Sequence, residues 1–421
     1  MSQDGISPLH KAWRLLPTTA RRRLFSSLTA LAAPAVARDP PPPHGGIAVV
    51  GELSASTGLG ESARLMIQAL TKLGVRHWGV DVGPAWQRAA RPPLHRPQLP
   101  HGVPLVVHAN APVLPVSLLR LPRAMVRQRR VIGYWHWELS RPPPDWAAGA
   151  SFVHEIWVPS RFTAEAVEAL RPGAVYVVPH AVAAVPPSPS ALDRQSFGLP
   201  HDAVVVVAPF NLASSLERKN PHAAIAAFQA AFGHRRDRIL VLKISHGTHF
   251  PADFDRIMQA ANAPNIRLET RDLPRADNYA LLAASDIVLS LHRSEAFGLN
   301  LAEAMLLSKP VIATGWSGNM EFMDPQSSAL VGYRLIPARD PRGTYDVPHA
   351  VWADPDLTDA VGHLQRLADD EMERQALGAR ARETAQSRLG LGPFRTALAA
   401  ILGLDDHFAD TWGAGEGLDG L

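Results

Sequence analysis

Residues 285–323 read SDIVLSLHRSEAFGLNLAEAMLLSKPVIATGWSGNMEFM. Residues 286–291 form a short apolar run suited to a buried parallel strand. Turn-forming and polar residues fill 292–299. Helix formers follow over 300–308 (Leu301, Ala302, Glu303, Ala304, Met305, Leu306, Leu307), with Asn300 placed to cap their start. Pro310 ends the helix and 311–314 is the next strand. The stretch is a βαβ unit, and open sheets built from such units bind ligands at the carboxyl ends of their strands.

The loop and first helical turn carry the chemistry. Gly298 lets the backbone approach a ligand closely, and the amides of Phe297, Gly298 and Leu299 precede a helix N-terminus. That end bears unpaired N–H groups and a partial positive charge, which suits a phosphate or diphosphate. Glu303, one turn into the helix, is placed to accept ribose hydroxyls, and Glu295, eight residues earlier, to reach another part of the same ligand. The plainer alternative is that Glu303 only favours the helix dipole and Glu295 is only solvated.

At these residues the stretch resembles the retaining GT-B glycosyltransferases of family 4, the glycosyl transferases group 1. Their hallmark is Glu-x7-Glu within SEGFGLxxxEAMxxGxPVIAT; here it matches Ser294-Glu295-Ala296-Phe297-Gly298-Leu299, then Glu303-Ala304-Met305, then Lys309 to Thr314. Ala296 and Ser308 depart from positions where glycine is common, and Ala296 is expected to shift the backbone near the sugar. The resemblance spans about residues 46–400. It implies an α/β GT-B fold of two Rossmann-like domains facing across a cleft, with a C-terminal helix returning to the first. It also implies a metal-independent hexosyltransferase using a nucleotide-diphosphate sugar as co-substrate, with no cofactor and no bound metal.

Length and composition agree with that frame. A chain of 421 residues is too long for one ordinary core. Hydrophobic content of 46% beside 19% charged residues is that of a globular protein. With net charge +3 and no dense Lys/Arg stripe interleaved with aromatics, nucleic acid is not an expected partner. The absence of cysteine excludes disulfides and Cys-ligated metal, and fits a cytoplasmic location.

Four segments are expected: an arm over 1–43, an acceptor-side domain over 44–190, a nucleotide-sugar-binding domain over 191–391, and a helix and tail over 392–421. In the arm, Lys11, Arg14 and Arg21–Arg23 alternate with Trp13, Leu15, Leu16, Leu24, Phe25 and Leu28 before a stiff run of prolines. Three readings stand: a basic amphipathic helix that packs on the protein or whose residues 10–30 contact the inner face of the plasma membrane, a plain extension, or a secretory signal.

In the first domain, a strand at 47–50, a Gly/Ser-rich loop at 51–60 and a helix at 61–73 have phosphate-binding geometry; close helix–sheet packing is the structural alternative. Further strands fall at 75–80, 104–108, 130–134, 155–159 and 175–178, the last leading into Pro179-His180. By resemblance, Gly58 and Gly60 belong to the first cleft loop, and His136, between Trp135 and Trp137, is the histidine near the donor sugar. A packed, hydrogen-bonded histidine is its structural alternative.

The second domain is expected to open with a strand at 203–208. At Arg218-Lys219 the family uses an arginine and a lysine to neutralise the donor diphosphate. Lys219 matches the lysine. The usual arginine position is Ala213, so Arg218 is either its substitute or a surface residue. Asn319, in Ser317-Gly318-Asn319, resembles the loop facing the sugar. The Asp253-Phe254-Asp255 tripeptide reads as a helix start, not a metal motif. Strands at 239–243, 266–270 and a helix at 277–284 lead into the central unit; a helical region at 357–387 and a closing helix at 393–401 follow it.

The implied activity is sugar transfer to an acceptor hydroxyl with retention. Members acting in exopolysaccharide assembly often use GDP-mannose and a glycan or lipid-linked acceptor. Two other classes fit the same scaffold: a nucleotide-sugar 2-epimerase, and a degenerate nucleotide-sugar-binding protein, prompted by Ala296 and Ala213.

Overall fold

A computed structural model describes residues 18–84 and 97–403. Two parallel six-stranded sheets dominate it. The first is ordered β2-β1-β3-β4-β5-β6, with β1 Ile47–Gly51, β2 His77–Asp81, β3 Leu105–Val107, β4 Val131–Tyr134, β5 Glu155–Val158 and β6 Val175–Val177. The second is ordered β12-β11-β10-β7-β8-β9, with β7 Val204–Asn211, β8 Arg238–Ser245, β9 Ile266–Glu269, β10 Ile287–Ser290, β11 Val311–Thr314 and β12 Ala329–Val331. Most strands are short runs of Val, Ile, Leu and Ala. Helices cover both faces of each sheet, so such strands are buried on both sides. These are two Rossmann-like units facing across a cleft.

The closing helix, Leu391–Leu402, runs back to the first unit. Phe394, Leu398 and Leu402 join a core with Ile47, Val49, Met66 and Val178, and Ala183 N–H donates to Leu389 O at 2.9 Å. The region expected to be helical over 357–387 divides into Leu357–Asp369 and Glu371–Arg388; Asp356 caps the first and Asp370 the second. Residues 405–421, expected as a polar tail, lie outside the described residues.

Several expectations are corrected. The helix of the first unit is Gly58–Lys72, so Gly58 and Gly60 occupy its first turn and not the preceding loop. Thr57 is its cap, accepting from Gly60 N–H at 3.0 Å. Asn300 does not cap the central helix. That helix is Leu299–Leu306, and Gly298 takes the cap position with a left-handed backbone at φ +98°, which a side chain would strain.

One element was not foreseen. β13 Tyr333–Pro337 and β14 Val351–Pro355 pair antiparallel, and the loop between them leaves the second unit. Ala338, Tyr345, Val347, Ala350 and Trp352 join the core of the first unit beside Trp137 and Trp146, with Tyr345 stacked on Trp137 at 5.5 Å. β14 ends immediately before Asp356, the cap of the Leu357–Asp369 helix.

The arm forms a helix, Thr18–Ala32, lying on the first unit. Ala30, Ala33 and Val36 pack on its core, and His154 Nε2 lies 2.8 Å from Ala37 O. Residues 1–17, with Lys11 and Arg14, lie outside the described residues. Among those described, no helix is long and apolar enough to cross a membrane.

Candidate active site

Each sheet reverses its strand order once, between β1 and β3 and between β7 and β10. Loops leaving neighbouring strands at such a point diverge to opposite faces, leaving a crevice at the carboxyl ends. The two crevices face one another and enclose a cavity of about 600 Å³. The first unit lines it with Thr57, Gly58, Asn110, His136, Glu138 and His180; the second with Arg218, Lys219, Arg275, Tyr279, Glu295, Phe297, Gly298, Leu299 and Glu303.

The β7 and β10 loops are stitched together before they reach the cavity. Asn220 Nδ2 donates to Leu291 O at 3.0 Å, and Arg293 N–H to Arg218 O at 2.8 Å. Ser215 caps the single turn Leu216–Lys219, which aims both cations at Glu295. Arg218 is 2% exposed, which excludes the surface reading. Its guanidinium donates to Ser294 O (2.8 Å), Ser214 O (3.1 Å) and Glu295 Oε2 (3.1 Å), and lies 3.6 Å from Glu138 across the cleft. Lys219 Nζ donates to the other oxygen of Glu295. Burial alone would lower the Arg218 pKa, but Tyr345, Glu138 and Glu295 outweigh it and raise the pKa. Burial also pushes Glu295 upward; Lys219, Arg218 and His292 override that and hold it at about 2. The result is a permanently ionised carboxylate between two cations.

The backbone around Glu295 is equally fixed. Its N–H donates to Ser317 Oγ (2.8 Å) and its carbonyl accepts from Gly318 N–H (2.8 Å). A Cβ on Gly318 would sit 2.0 Å from Ala296 O, so this contact requires glycine. Ala296 O in turn accepts from Ser160 Oγ of the first unit at 2.6 Å. The Ala296 departure therefore sits in a loop pinned from both units.

At the other end of the cavity, the Leu299–Leu306 helix opens with no side-chain cap, leaving its first-turn amides to a ligand or solvent. Glu303 Oε1 accepts from Tyr279 Oη at 2.9 Å and lies 3.6 Å from Arg275. Arg275 also pairs with Glu61 of the first unit at 2.6 Å. Burial raises the Glu303 pKa to about 7, with Glu61 adding to it and Arg275 and Tyr279 opposing.

His136 follows β4. Its N–H donates to Asn110 Oδ1 at 2.8 Å, Nε2 lies 3.1 Å from His180 Nε2, and Nδ1 is buried with no partner. Burial lowers its pKa to about 4, so the ring is neutral at pH 7.

Two predicted site residues do not line the cavity. Gly60 lies beneath the 52–55 turn, where a Cβ would fall 2.5 Å from Glu52 O. Asn319 directs Nδ2 to Thr314 O at 3.1 Å and so holds its own loop. Asp253 is paired with Arg342. Sequence reading missed Arg275, Tyr279 and Tyr345. Arg275 and Tyr279, spaced i, i+4 on the Arg275–Ala284 helix, were the one available signal.

The family model for glycosyl transferases group 1 matches residues 204–334. A D-inositol 3-phosphate glycosyltransferase of Kineococcus radiotolerans is 28% identical over 246 residues, 55% of this chain and 51% of that protein. The chain thus spans about half the length of that curated relative. Among solved structures, Anabaena HepE in complex with UDP-glucose superposes with a TM-score of 0.61 at 14% identity, covering 85% of this chain and 100% of that one. A glycosyltransferase from Rickettsia africae gives 0.57 at 13% identity, covering 85% and 98%. Two Rossmann-like units and a returning C-terminal helix give the chain a GT-B fold, and its residues 204–334 match the family model for glycosyl transferases group 1.

Proposed function

We propose that this protein transfers a sugar from a nucleoside-diphosphate sugar to an acceptor hydroxyl, with retention at the anomeric carbon. The observation that carries this reading is the meeting of Lys219, Arg218, the open helix end at 297–299 and Glu303 in one cavity. Glu303 takes the ribose hydroxyls. The helix-end amides and Lys219 take the diphosphate. The bond from the anomeric carbon to the diphosphate oxygen breaks, the bond to the acceptor oxygen forms, and the proton of that hydroxyl passes to the departing diphosphate. Charge gathering on the departing diphosphate meets fixed cations and amides in a site of restricted water access. Glu295 and His136 contact the sugar from opposite sides of the cleft.

The first test is thermal unfolding with UDP, GDP and ADP, followed by nucleotide release from UDP-glucose and GDP-mannose. HepE suggests UDP-glucose, the exopolysaccharide resemblance GDP-mannose, and the Kineococcus relative D-inositol 3-phosphate as an acceptor probe. A ligand at 100 times its Kd stabilises by about 2.7 kcal/mol, so one nucleotide is expected to raise Tm by several degrees. A folded sample that responds to none, or isomerises the donor without acceptor, would sink the reading.

A lipid-linked acceptor fits the arm. Leu24, Leu28 and Leu31 are 42%, 55% and 86% exposed on one helix face, opposite Ala30 and Ala33, and Arg21–Arg23 lie in the turn before them. This face lies on an anionic bilayer, with the leucines in the headgroup region. Cosedimentation is expected with phosphatidylglycerol vesicles, weakened by salt and by Leu28→Asp/Leu31→Asp. Equal pelleting of that double variant would exclude this contact.

A further inference from the structure

From the cavity wall inward the first unit stacks three histidines and a tyrosine. His108 lies on Tyr134 with ring centroids 4.5 Å apart, Tyr134 on His180 at 5.4 Å, and His180 on His136 at 5.3 Å. Phe297 of the second unit meets the His180 ring edge-on at 4.9 Å. His180 is 4% exposed and Tyr134 1% exposed, so their polar atoms are bonded chiefly within the protein.

The hydrogen bonds in this stack have a direction. Tyr134 has one hydroxyl proton, and it goes to Val178 O at 2.6 Å. His180 Nδ1, 3.3 Å from the Tyr134 hydroxyl oxygen, must then donate to that oxygen. Burial, followed by the neighbouring His136 and His108, holds His180 well below the usual histidine range, so its ring carries a single proton. That proton is on Nδ1, which leaves Nε2 as an acceptor. His136 Nε2, 3.1 Å away, must donate to it. The neutral His136 ring is then left with a bare lone pair on Nδ1, the buried atom that has no partner among the described residues.

We infer that His180 and Tyr134 are positioning residues that lock His136 in its Nε2–H tautomer, so that Nδ1 serves the site as a hydrogen-bond acceptor for a substrate hydroxyl. The inference rests on the glycosyl-transfer reading for its consequence, but not for its geometry. A locked acceptor holds a sugar hydroxyl by its proton and leaves the hydroxyl oxygen free for donors of the second unit. The opposite tautomer would present an N–H there and reverse the polarity of the contact.

The test has two readouts. Long-range proton–nitrogen NMR of the full chain, labelled with 15N-histidine, assigns the protonated nitrogen of each ring without substrate. His136 is expected as Nε2–H with bare Nδ1, and His180 as Nδ1–H. His180→Phe is expected to release His136 into a mixture of tautomers, whereas His180→Gln, whose amide oxygen accepts from His136, retains the lock. With UDP-glucose or GDP-mannose, whichever turns over, His180→Phe is expected to lower kcat roughly 10- to 100-fold with donor KM changed less than about threefold. His180→Gln is expected to recover most of that loss. Tyr134→Phe, which removes the oxygen that orients His180, gives a second route to the same mixture if His180→Phe fails to fold. Wild-type His136 protonated on Nδ1, or a His136 tautomer indifferent to His180→Phe and Tyr134→Phe, would overturn the inference. If no donor turns over, the glycosyl-transfer reading fails, and the spectrum still decides the tautomer.

Discussion

Arg218→Ala is expected to lower the melting temperature by about 10 °C and to remove turnover. The guanidinium bonds the β7 loop, the β10 loop and the first unit together, through Ser214 O, Ser294 O, Glu295 and Glu138. Truncating it strands the buried Ser294 carbonyl and leaves Glu295 with Lys219 as its remaining counter-charge. Removing one partner of a buried charge pair costs about 3–5 kcal/mol, and in a unit of this size each kcal/mol lowers Tm by about 2–4 °C. Arg218→Lys is not expected to rescue, because one ammonium cannot reach acceptors arranged for a planar fork. Differential scanning calorimetry and nucleotide release check both parts. A variant with wild-type Tm and turnover would show that the cation cluster neither holds the loops nor serves the reaction.

Glu303→Ala is expected to weaken donor binding roughly 10- to 150-fold, since charge-assisted hydrogen bonds are worth about 1.5–3 kcal/mol. His136→Ala is expected instead to act mainly on kcat. The pH dependence separates these roles further. With a carboxyl pKa of about 7 in the folded chain, the ionised form that accepts hydroxyls grows as pH rises through neutrality. Donor Kd is therefore expected to fall from pH 6 to pH 8 and to level off above. Stability moves the other way. The folded pKa lies above the unfolded value of about 4.3, so this group's contribution is complete below that value and is lost as pH rises through about 7. Glu303→Gln should flatten both trends. Isothermal titration with the responding nucleotide across this range, beside thermal scans, gives the comparison. A Kd independent of pH in the wild type would remove Glu303 from the ribose.

Much of this was legible in the chain because it is local. Runs such as Ile47–Gly51 and Val311–Thr314 can only be buried strands, and the spacing of Glu295 and Glu303 follows from one loop and one helical turn. Long-range features were not. β13 is mostly exposed and carries Arg334 beside Leu335, so no apolar period marks it as a strand. Arg275 meets Glu61 only after two units dock, and a distance of more than two hundred residues leaves no periodic trace. Asn300 looked like a cap because capping residues are read by type, whereas Gly298 takes the position by backbone conformation. His180 was seen only as the end of a strand motif; its role depends on where Tyr134 sends its proton.

The loop carried by β13 and β14 also changes what counts as a module here. Its Tyr345 and Val347 complete a core whose other members lie two hundred residues upstream, and Asp340 at its base accepts from Ser215, the cap of the cation turn. A chimera joining residues 1–190 of this chain to a foreign donor-binding half would inherit Trp137 and Trp146 without their cover. Recombination at the interdomain linker is thus expected to yield aggregates, whereas grafts that carry residues 333–355 along with the first unit should stay dispersed. The smallest heritable piece of this architecture is discontinuous in sequence.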